Sequence, residues 1–225
     1  PRPPDALPCP EAIFLRLDAD DAGSRTMDGG NVVAWADADG RGITFTNNTA
    51  TAPGVRIGAI NGKNTVFFGG LLHRMVSQQG VAARTVFIVN KFPPKSAAHP
   101  NTTVGKSGWN YAGIMGDVGV DCGIRVLANG TWIKNDWTDS ADIYCNGQLT
   151  TSFNWDTPQI STFALTRTHD GTARIVVGDY WGSANHYRSY YGDIAEVLIY
   201  DRHLEDAERQ AVEACLGAKW GIAVE

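Results

Sequence analysis

Short apolar segments recur along the whole chain, and each one is ended by Gly, Pro, Asn or Asp. Segments of this length that alternate apolar and polar residues are typical of strands in antiparallel sheets. They predict about a dozen strands, at 12–17, 43–46, 55–60, 65–69, 71–76, 84–91, 111–116, 122–128, 131–135, 141–146, 161–169, 172–178 and 193–200. Because no helices alternate with these strands, the pattern predicts an all-β sandwich rather than a parallel α/β sheet.

Three dipeptides, in which both residues tolerate a positive φ, predict tight turns between these strands. They are Asn129-Gly130, Asn146-Gly147 and Asp170-Gly171. The first separates segments 122–128 and 131–135 and therefore predicts a two-residue hairpin.

One helix is predicted near the end of the chain, at about 205–219, or 204–220 with its flanks. Five residues recur at helical spacing there: Leu204, Ala207, Ala211, Cys215 and Ala218. Acidic residues open the segment and Gly221 follows it, as the helix dipole and a left-handed cap favour. With no linker or internal repeat, residues 1–225 are predicted to form one domain, in which 1–10 is an N-terminal arm.

The charge of the chain and the length of its apolar stretches argue against two classes of partner. The net charge is −5 with a pI near 5.5, and no run of Lys and Arg is present, so nucleic acid binding is not expected. No apolar stretch approaches the roughly 18 residues that span a bilayer, so membrane insertion is not expected either.

Four cysteines are present, and none lies in a Cys-x-x-Cys pair that would indicate a zinc or redox site. Cys122 and Cys145 flank a predicted strand–turn–strand unit, and Cys9 and Cys215 lie near the two termini. We therefore favour the disulfides Cys9–Cys215 and Cys122–Cys145, while four buried free thiols remain the alternative.

Glycosylation sequons begin at Asn47, Asn101 and Asn129, all in turn-like segments. Together with the even number of cysteines, they favour an oxidising compartment. The expected location is extracellular, either secreted or at the cell surface.

Both ends of the chain carry motifs of a known family. The closing segments GDIAEVLIYDR (192–202) and AKWGI (218–222) resemble the last strand and helix of bacterial laminin-G-like, concanavalin A-like domains. LRLDADD (15–21) resembles the first strand of that family. Segment 32–42 resembles its Trp-x-Asp…Gly turn, and 60–69 resembles its Asn-Gly-Lys…Phe-x-Gly segment.

The resemblance implies a two-sheet antiparallel jelly-roll sandwich with one C-terminal helix, and it implies a calcium ion in many members. Hard cations prefer carboxylate and carbonyl oxygens. Four aspartates lie at the ends of the first and last strands and are the candidate ligands: Asp18, Asp20, Asp21 and Asp193.

Catalysis is not expected. Jelly-roll glucanases need two carboxylates on one strand at Glu-x-Asp-x-Glu spacing, which places them about 5 Å apart. Every Glu here lies at position 11 or from 196 onward, so that motif is missing.

The aromatic residues suggest a binding surface instead, because sugar rings stack on flat aromatic faces and bond polar side chains. The candidate ligand-binding residues are Trp137, Asp179, Tyr180, Trp181, Asn185, His186 and Tyr187. Trp137 is predicted to be an exposed ring, whereas packing is predicted for Trp35, Trp132, Trp155 and Trp220.

Three functions follow from these observations. The first is an extracellular, non-catalytic domain that binds carbohydrate or other extracellular proteins. The second is a structural or adhesive subunit that self-assembles into a surface layer, appendage or filament. The third is a glycosidase or lyase of the same fold.

Overall fold

The computed structural model describes residues 14–47, 51–70, 72–94, 111–119, 123–127, 130–133, 136–138, 141–179 and 189–225. They form one 14-stranded network of β-strands and an α-helix. The elements in chain order are β1 Leu15–Asp18, β2 Arg25–Asp28, β3 Asn31–Ala36, β4 Thr44–Thr46, β5 Gly54–Ile60, β6 Lys63–Gly69, β7 Met75–Lys91, β8 Tyr111–Asp117, β9 Gly123–Leu127, β10 Trp132–Ile133, β11 Ile143–Cys145, β12 Gln148–Leu149, β13 Gln159–Val177, β14 Tyr191–Tyr200 and α1 Asp206–Trp220.

Six strands close a ring of hydrogen-bonded neighbours. The ring runs from β14 to β6, β5, β3, β4 and β7 and returns to β14. Outside it, β1 pairs with β14, β2 pairs with β3, and β13 pairs with β7. Strands β8, β9 and β10 extend the sheet beyond β13, which also holds the β11–β12 hairpin. Every pairing between these strands is antiparallel.

The architecture confirms an all-β domain with one C-terminal helix, but the described hydrogen bonds do not separate into the two predicted sheets. The reason is the length of β7. This 17-residue strand pairs with β4 near its start, at Ser77, and with β14 near its end, from Thr85 to Lys91. One strand that pairs in this way joins both halves of the molecule into a continuous network.

Two strands are longer than the sequence pattern predicted. Segments 71–76 and 84–91 were predicted as two strands, but β7 runs through the interval between them. The backbone of β13 likewise continues through the turn predicted at Asp170-Gly171. Register shifts relative to β7 on both sides of Asp170 show that the irregularity is absorbed as bulges, because neighbouring strands hold this backbone in the ladder.

The hairpin of β2 and β3 was not predicted as strands, because the β2 sequence is short and mostly polar. The turn expected after Trp35 is present. The backbone N–H of Gly40 donates to the carbonyl of Asp37, and the N–H of Arg41 donates to the Asp37 carboxylate at 2.7 Å.

Two cores lie on opposite faces of β7. Ile88 belongs to the larger core within the sheet network, whereas Phe87 and Val89 face a smaller core under α1. This division follows from the two-residue period of a strand. The helix contributes Leu216 and Trp220 to the smaller core. Both faces of β7 are covered in its second half, in keeping with the continuous apolar run at 86–89.

Helix α1 has the caps that its sequence predicts. The backbone N–H of Glu205 donates to the Glu208 carboxylate at 3.0 Å, and Gly221 ends the helix with a φ of 65°. At 15 residues α1 is too short to cross a bilayer. The described segments contain no other helix that is long and apolar enough to do so.

One of the predicted tight turns is confirmed. Asn146 and Gly147 have φ of 51° and 88° and connect β11 to β12, as a type I′ hairpin requires. Strands β9 and β10 also form an antiparallel pair, and Gly130 between them has a φ of 95°. However, the N–H of Leu127 donates to the carbonyl of Thr131, so three residues lie between these partners and not the predicted two. Asn129 lies outside the described residues.

Gly178 allows a close approach between β13 and β6, which provides a test of this packing. Its φ is 86°, and a Cβ at this position would lie 2.2 Å from Cδ1 of Phe68. Gly40 has a similar φ of 78°, but a Cβ there would meet nothing within 4 Å.

We expect Gly40→Ala to cost about 1–2 kcal/mol through backbone strain alone. Gly178→Ala should cost about 1–3 kcal/mol more, because overpacking adds to the same strain. Urea unfolding of both variants measures the difference. Equal destabilisation by the two substitutions would show that the Phe68 contact is not tight.

Candidate functional site

The predicted metal ligand Asp18 lies in a buried group of charges instead. Asp18 on β1 is directly opposite Glu196 on β14, and both are buried. Lys219 Nζ donates to a carboxylate oxygen of each at 2.6 Å. Arg16 Nε donates to Glu196 at 2.8 Å, and Trp220 Nε1 donates to it at 2.6 Å. We name these five residues the ion cluster.

The ion cluster explains how two carboxylates can lie opposite each other in a sheet, where like charges repel. Burial alone raises the pKa of Asp18, but the charge and hydrogen bond of Lys219 and the charge of Arg16 outweigh it. The pKa of Asp18 therefore lies below its ordinary value, and the carboxylate stays ionised and paired.

The other three predicted metal ligands have separate partners. Asp20 accepts a backbone N–H from β6 at 2.9 Å, and Asp21 caps a short 3-10 turn. Asp193 accepts from Thr65 Oγ1 at 2.7 Å and from Arg56 at 3.1 Å. Among the described residues, no three His, Cys, Asp or Glu side chains form a group that could hold a metal ion. The four aspartates do not fit the predicted calcium site.

Two of the predicted ligand-binding residues are buried. Trp137 is inaccessible and its Nε1 donates to Asp117 at 3.3 Å, so the prediction of an exposed ring is wrong. Asp179 is also inaccessible and forms an ion pair with the buried Arg74 at 3.3 Å. Both side chains have partners that are distant in sequence, which the local pattern cannot show. Tyr180, Trp181, Asn185, His186 and Tyr187 lie outside the described residues.

The four tryptophans that were predicted to pack follow that prediction. Trp35, Trp132 and Trp220 are buried, and Trp155 is half-buried against the larger core. Trp155 packs edge-to-face on Phe92 with ring centroids 5.8 Å apart.

The cysteines differ from the predicted pairing in one respect. Cys145 is a free, buried thiol, so the disulfide Cys122–Cys145 is wrong. Cys215 is disulfide-bonded, but no other cysteine in the described segments is its partner. Since Cys9 and Cys122 both lie outside the described residues, Cys9–Cys215 stays a prediction.

The sequons also remain predictions. Asn101 and Asn129 lie outside the described residues, and Asn47 is half-buried just before the segment 48–50, which is likewise not described.

A cleft of about 300 Å³ lies where the β11–β12 hairpin meets the segment that follows α1. We name it the polar cleft, because nearly all of its described lining residues carry hydrogen-bonding groups. They are Cys145, Asn146, Gln148, Thr150, Ser152, Asn154, Ala223 and Glu225.

Local geometry brings the two walls of the polar cleft together. The backbone N–H of Glu225 donates to the carbonyl of Asn146 at 3.0 Å, and Gln148 Nε2 donates to the Glu225 carboxylate. Gly147 permits this contact, since a Cβ there would lie 2.3 Å from the carbonyl oxygen of Glu225. Gly147 thus has two roles: it adopts the positive φ of the turn, and it leaves room for the backbone of Glu225 at the cleft wall.

The thiol of Cys145 forms the floor, and the buried amide of Gln159 lies against this thiol. Cys145 Sγ donates to Gln159 Oε1 at 3.3 Å, and the backbone N–H of Asn154 donates to the same oxygen at 2.8 Å. Gln159 Nε2 is buried and bonds no acceptor in the described part of the chain. A buried donor of this kind favours an acceptor oxygen from water or from a ligand.

The chemistry of the polar cleft favours binding over nucleophilic catalysis. Burial, and then the charge of Glu213, raise the pKa of Cys145 to about 11, so the thiol stays protonated at neutral pH. A protonated thiol is a poor nucleophile. Glu225 contributes the one carboxylate among the described lining residues, whereas retaining glycoside hydrolysis needs two.

Sequence reasoning missed this cleft, although one signal was present. Asn146, Gln148, Thr150, Ser152 and Asn154 place a polar side chain at every second position. Extended backbone turns such residues to one side. This pattern indicates only one wall of the cleft, because the residues of the other wall, Ala223 and Glu225, are distant in sequence.

Comparison with known proteins supports the fold and leaves the family open. No family model and no curated protein matches this chain. The Trypanosoma rangeli sialidase in complex with the inhibitor DANA is similar over 96% of this chain, with a TM-score of 0.52 and 13% identity. Another structure of Trypanosoma rangeli sialidase is similar over 95%, with a TM-score of 0.50 and 12% identity. This chain spans 34% of the length of each sialidase chain. At such low identity the likeness shows an all-β fold alone.

The ion cluster predicts a pH-dependent stability. Because the folded-state pKa of Asp18 is lowered, its contribution is complete above the ordinary value of 3.8 and disappears as the pH falls through the lowered value. We expect Asp18→Asn to destabilise by about 1.5–3 kcal/mol at pH 6, through loss of charged hydrogen bonds. The difference from wild type should shrink toward pH 2.

Urea unfolding at pH 6, 4 and 2 measures this dependence. Asp28→Asn, at an exposed position on β2, is the control and should follow the wild-type curve. A cost of Asp18→Asn that stays constant across these pH values would contradict the charged pairing of Asp18.

Proposed function

We propose that this chain is an extracellular, non-catalytic domain that binds carbohydrate in the polar cleft. The observation that carries the proposal is the lining itself, in which amide, hydroxyl and carboxylate groups surround a volume of about 300 Å³. Hydroxyl groups of a sugar both donate and accept hydrogen bonds, and side-chain amides offer both functions in return. The volume is at the lower end of the range of small-molecule sites, which suits one or two sugar rings.

Two further observations support a carbohydrate ligand. Gln159 accepts from the lining residue Cys145 through Oε1, and its buried Nε2 has no described acceptor. The fold is similar to part of a sialidase at 13% identity, which is compatible with carbohydrate binding. The oxidised state of Cys215 is in keeping with an extracellular location.

The alternatives receive less support from the described residues. Self-assembly into a layer or filament would favour a contiguous apolar surface, but the large exposed apolar side chains lie on three separate strands: Met27, Ile57 and Leu149. For a glycosidase, the paired carboxylates Asp18 and Glu196 are buried and neutralised by Lys219 and Arg16.

A glycan array with the full chain, followed by calorimetric titration of any glycan retained, tests the proposal. We expect Gln148→Ala and Asn154→Ala each to weaken binding by about 3- to 10-fold, the value of one hydrogen bond. Gln210→Ala, an exposed glutamine on α1, removes the same group elsewhere and should leave binding unchanged.

Either of two results would overturn the proposal. One is a chain that retains no glycan on the array, and concentration-dependent light scattering of that chain would then favour self-assembly. The other is glycan binding that is equally insensitive to both cleft variants and to Gln210→Ala.

A further inference from the structure

The polar cleft has an uneven charge. Glu225 is exposed and is the one charged side chain among the described lining residues. The other polar members are neutral amides, hydroxyls and a thiol. A ligand in this cleft therefore lies near a carboxylate, and the described lining residues include no cation.

A second carboxylate, that of Glu213, influences the thiol at the floor of the cleft. Glu213 on α1 is buried, accepts from Thr162 and Arg209, and raises the pKa of the Cys145 thiol through its charge. Arg209 pairs with Glu213 directly and offsets this charge. The exposed charge on the described lining is therefore that of Glu225, in a chain whose net charge is −5.

Like charges at the separations found in one binding site repel, and salt weakens the repulsion when the site is open to water. A sugar carboxylate that enters the polar cleft must lie near Glu225, without a compensating cation among the described lining residues. A neutral sugar avoids this cost, and a protonated amino sugar gains attraction instead.

We propose that the polar cleft selects neutral and amino sugars against sugars that carry a carboxylate, and that Glu225 is the residue that sets this selectivity. The inference rests on the proposed carbohydrate-binding function and adds the class of ligand. Gln148 has a positioning role, because its amide donates to the Glu225 carboxylate and holds it at the wall.

The test uses the full chain and an array that pairs neutral oligosaccharides with their 6-carboxylated and 2-amino counterparts, read at 20 mM and 300 mM NaCl. At low salt, we expect the carboxylated members to bind about 3- to 10-fold more weakly than their neutral counterparts. The gap should narrow at 300 mM NaCl, and Glu225→Gln should close it.

Asp28→Asn is the matched control, because it removes the same charge from an exposed residue that does not line the polar cleft. It should leave the gap as in wild type. Urea unfolding of Glu225→Gln confirms that the variant keeps its fold.

The outcomes separate the two proposals. If no glycan binds, the carbohydrate-binding function fails and the selectivity fails with it. If glycans bind through Gln148 and Asn154 but carboxylated members bind as well as neutral ones, the function stands and the selectivity is wrong. A gap that Glu225→Gln leaves intact overturns the role of Glu225.

Discussion

Strand β14 is buried from Gly192 to Tyr200 and bonds to β1, β6 and β7, so its position constrains most of the molecule. A carboxylate lies in the middle of it. Burying the charge of Glu196 is tolerable only if donors surround it, and its donors come from Arg16 on β1 and from Lys219 and Trp220 on α1. The first strand, the last strand and the helix are thereby held in one arrangement.

The polar cleft depends on this arrangement, although it lies in another part of the fold. Because the ion cluster and the smaller core fix α1 against β14, the chain leaves the helix at Gly221 in a defined direction. The N–H of Ile222 then donates to the carbonyl of Gly217 at 2.9 Å, and Glu225 reaches the β11–β12 hairpin. One wall of the cleft is therefore placed by the contacts that fix α1.

The ion cluster also explains why the predicted calcium ligands do not fit a metal ion. Asp18, at the end of the first strand, does lie opposite another acidic residue, Glu196. In this chain Lys219 and Arg16 provide the positive charge that Asp18 and Glu196 require, and Arg56 provides it for Asp193. A metal ion would have to displace these cations, and the acids would have to move toward one another.

The sequence by itself determined the features that depend on neighbours a few residues apart. These are the all-β content, the helix and its caps, and the turn at Asn146-Gly147, because each is stabilised by local backbone preference. Only the tertiary structure decided which polar and aromatic groups are buried. Trp137 and Asp179 are inaccessible because partners 20 and 105 residues away in sequence complete their bonds, and Lys219 bonds an aspartate 201 residues away. Such contacts leave no periodic signal, and neither does a cleft whose walls come from two distant parts of the chain.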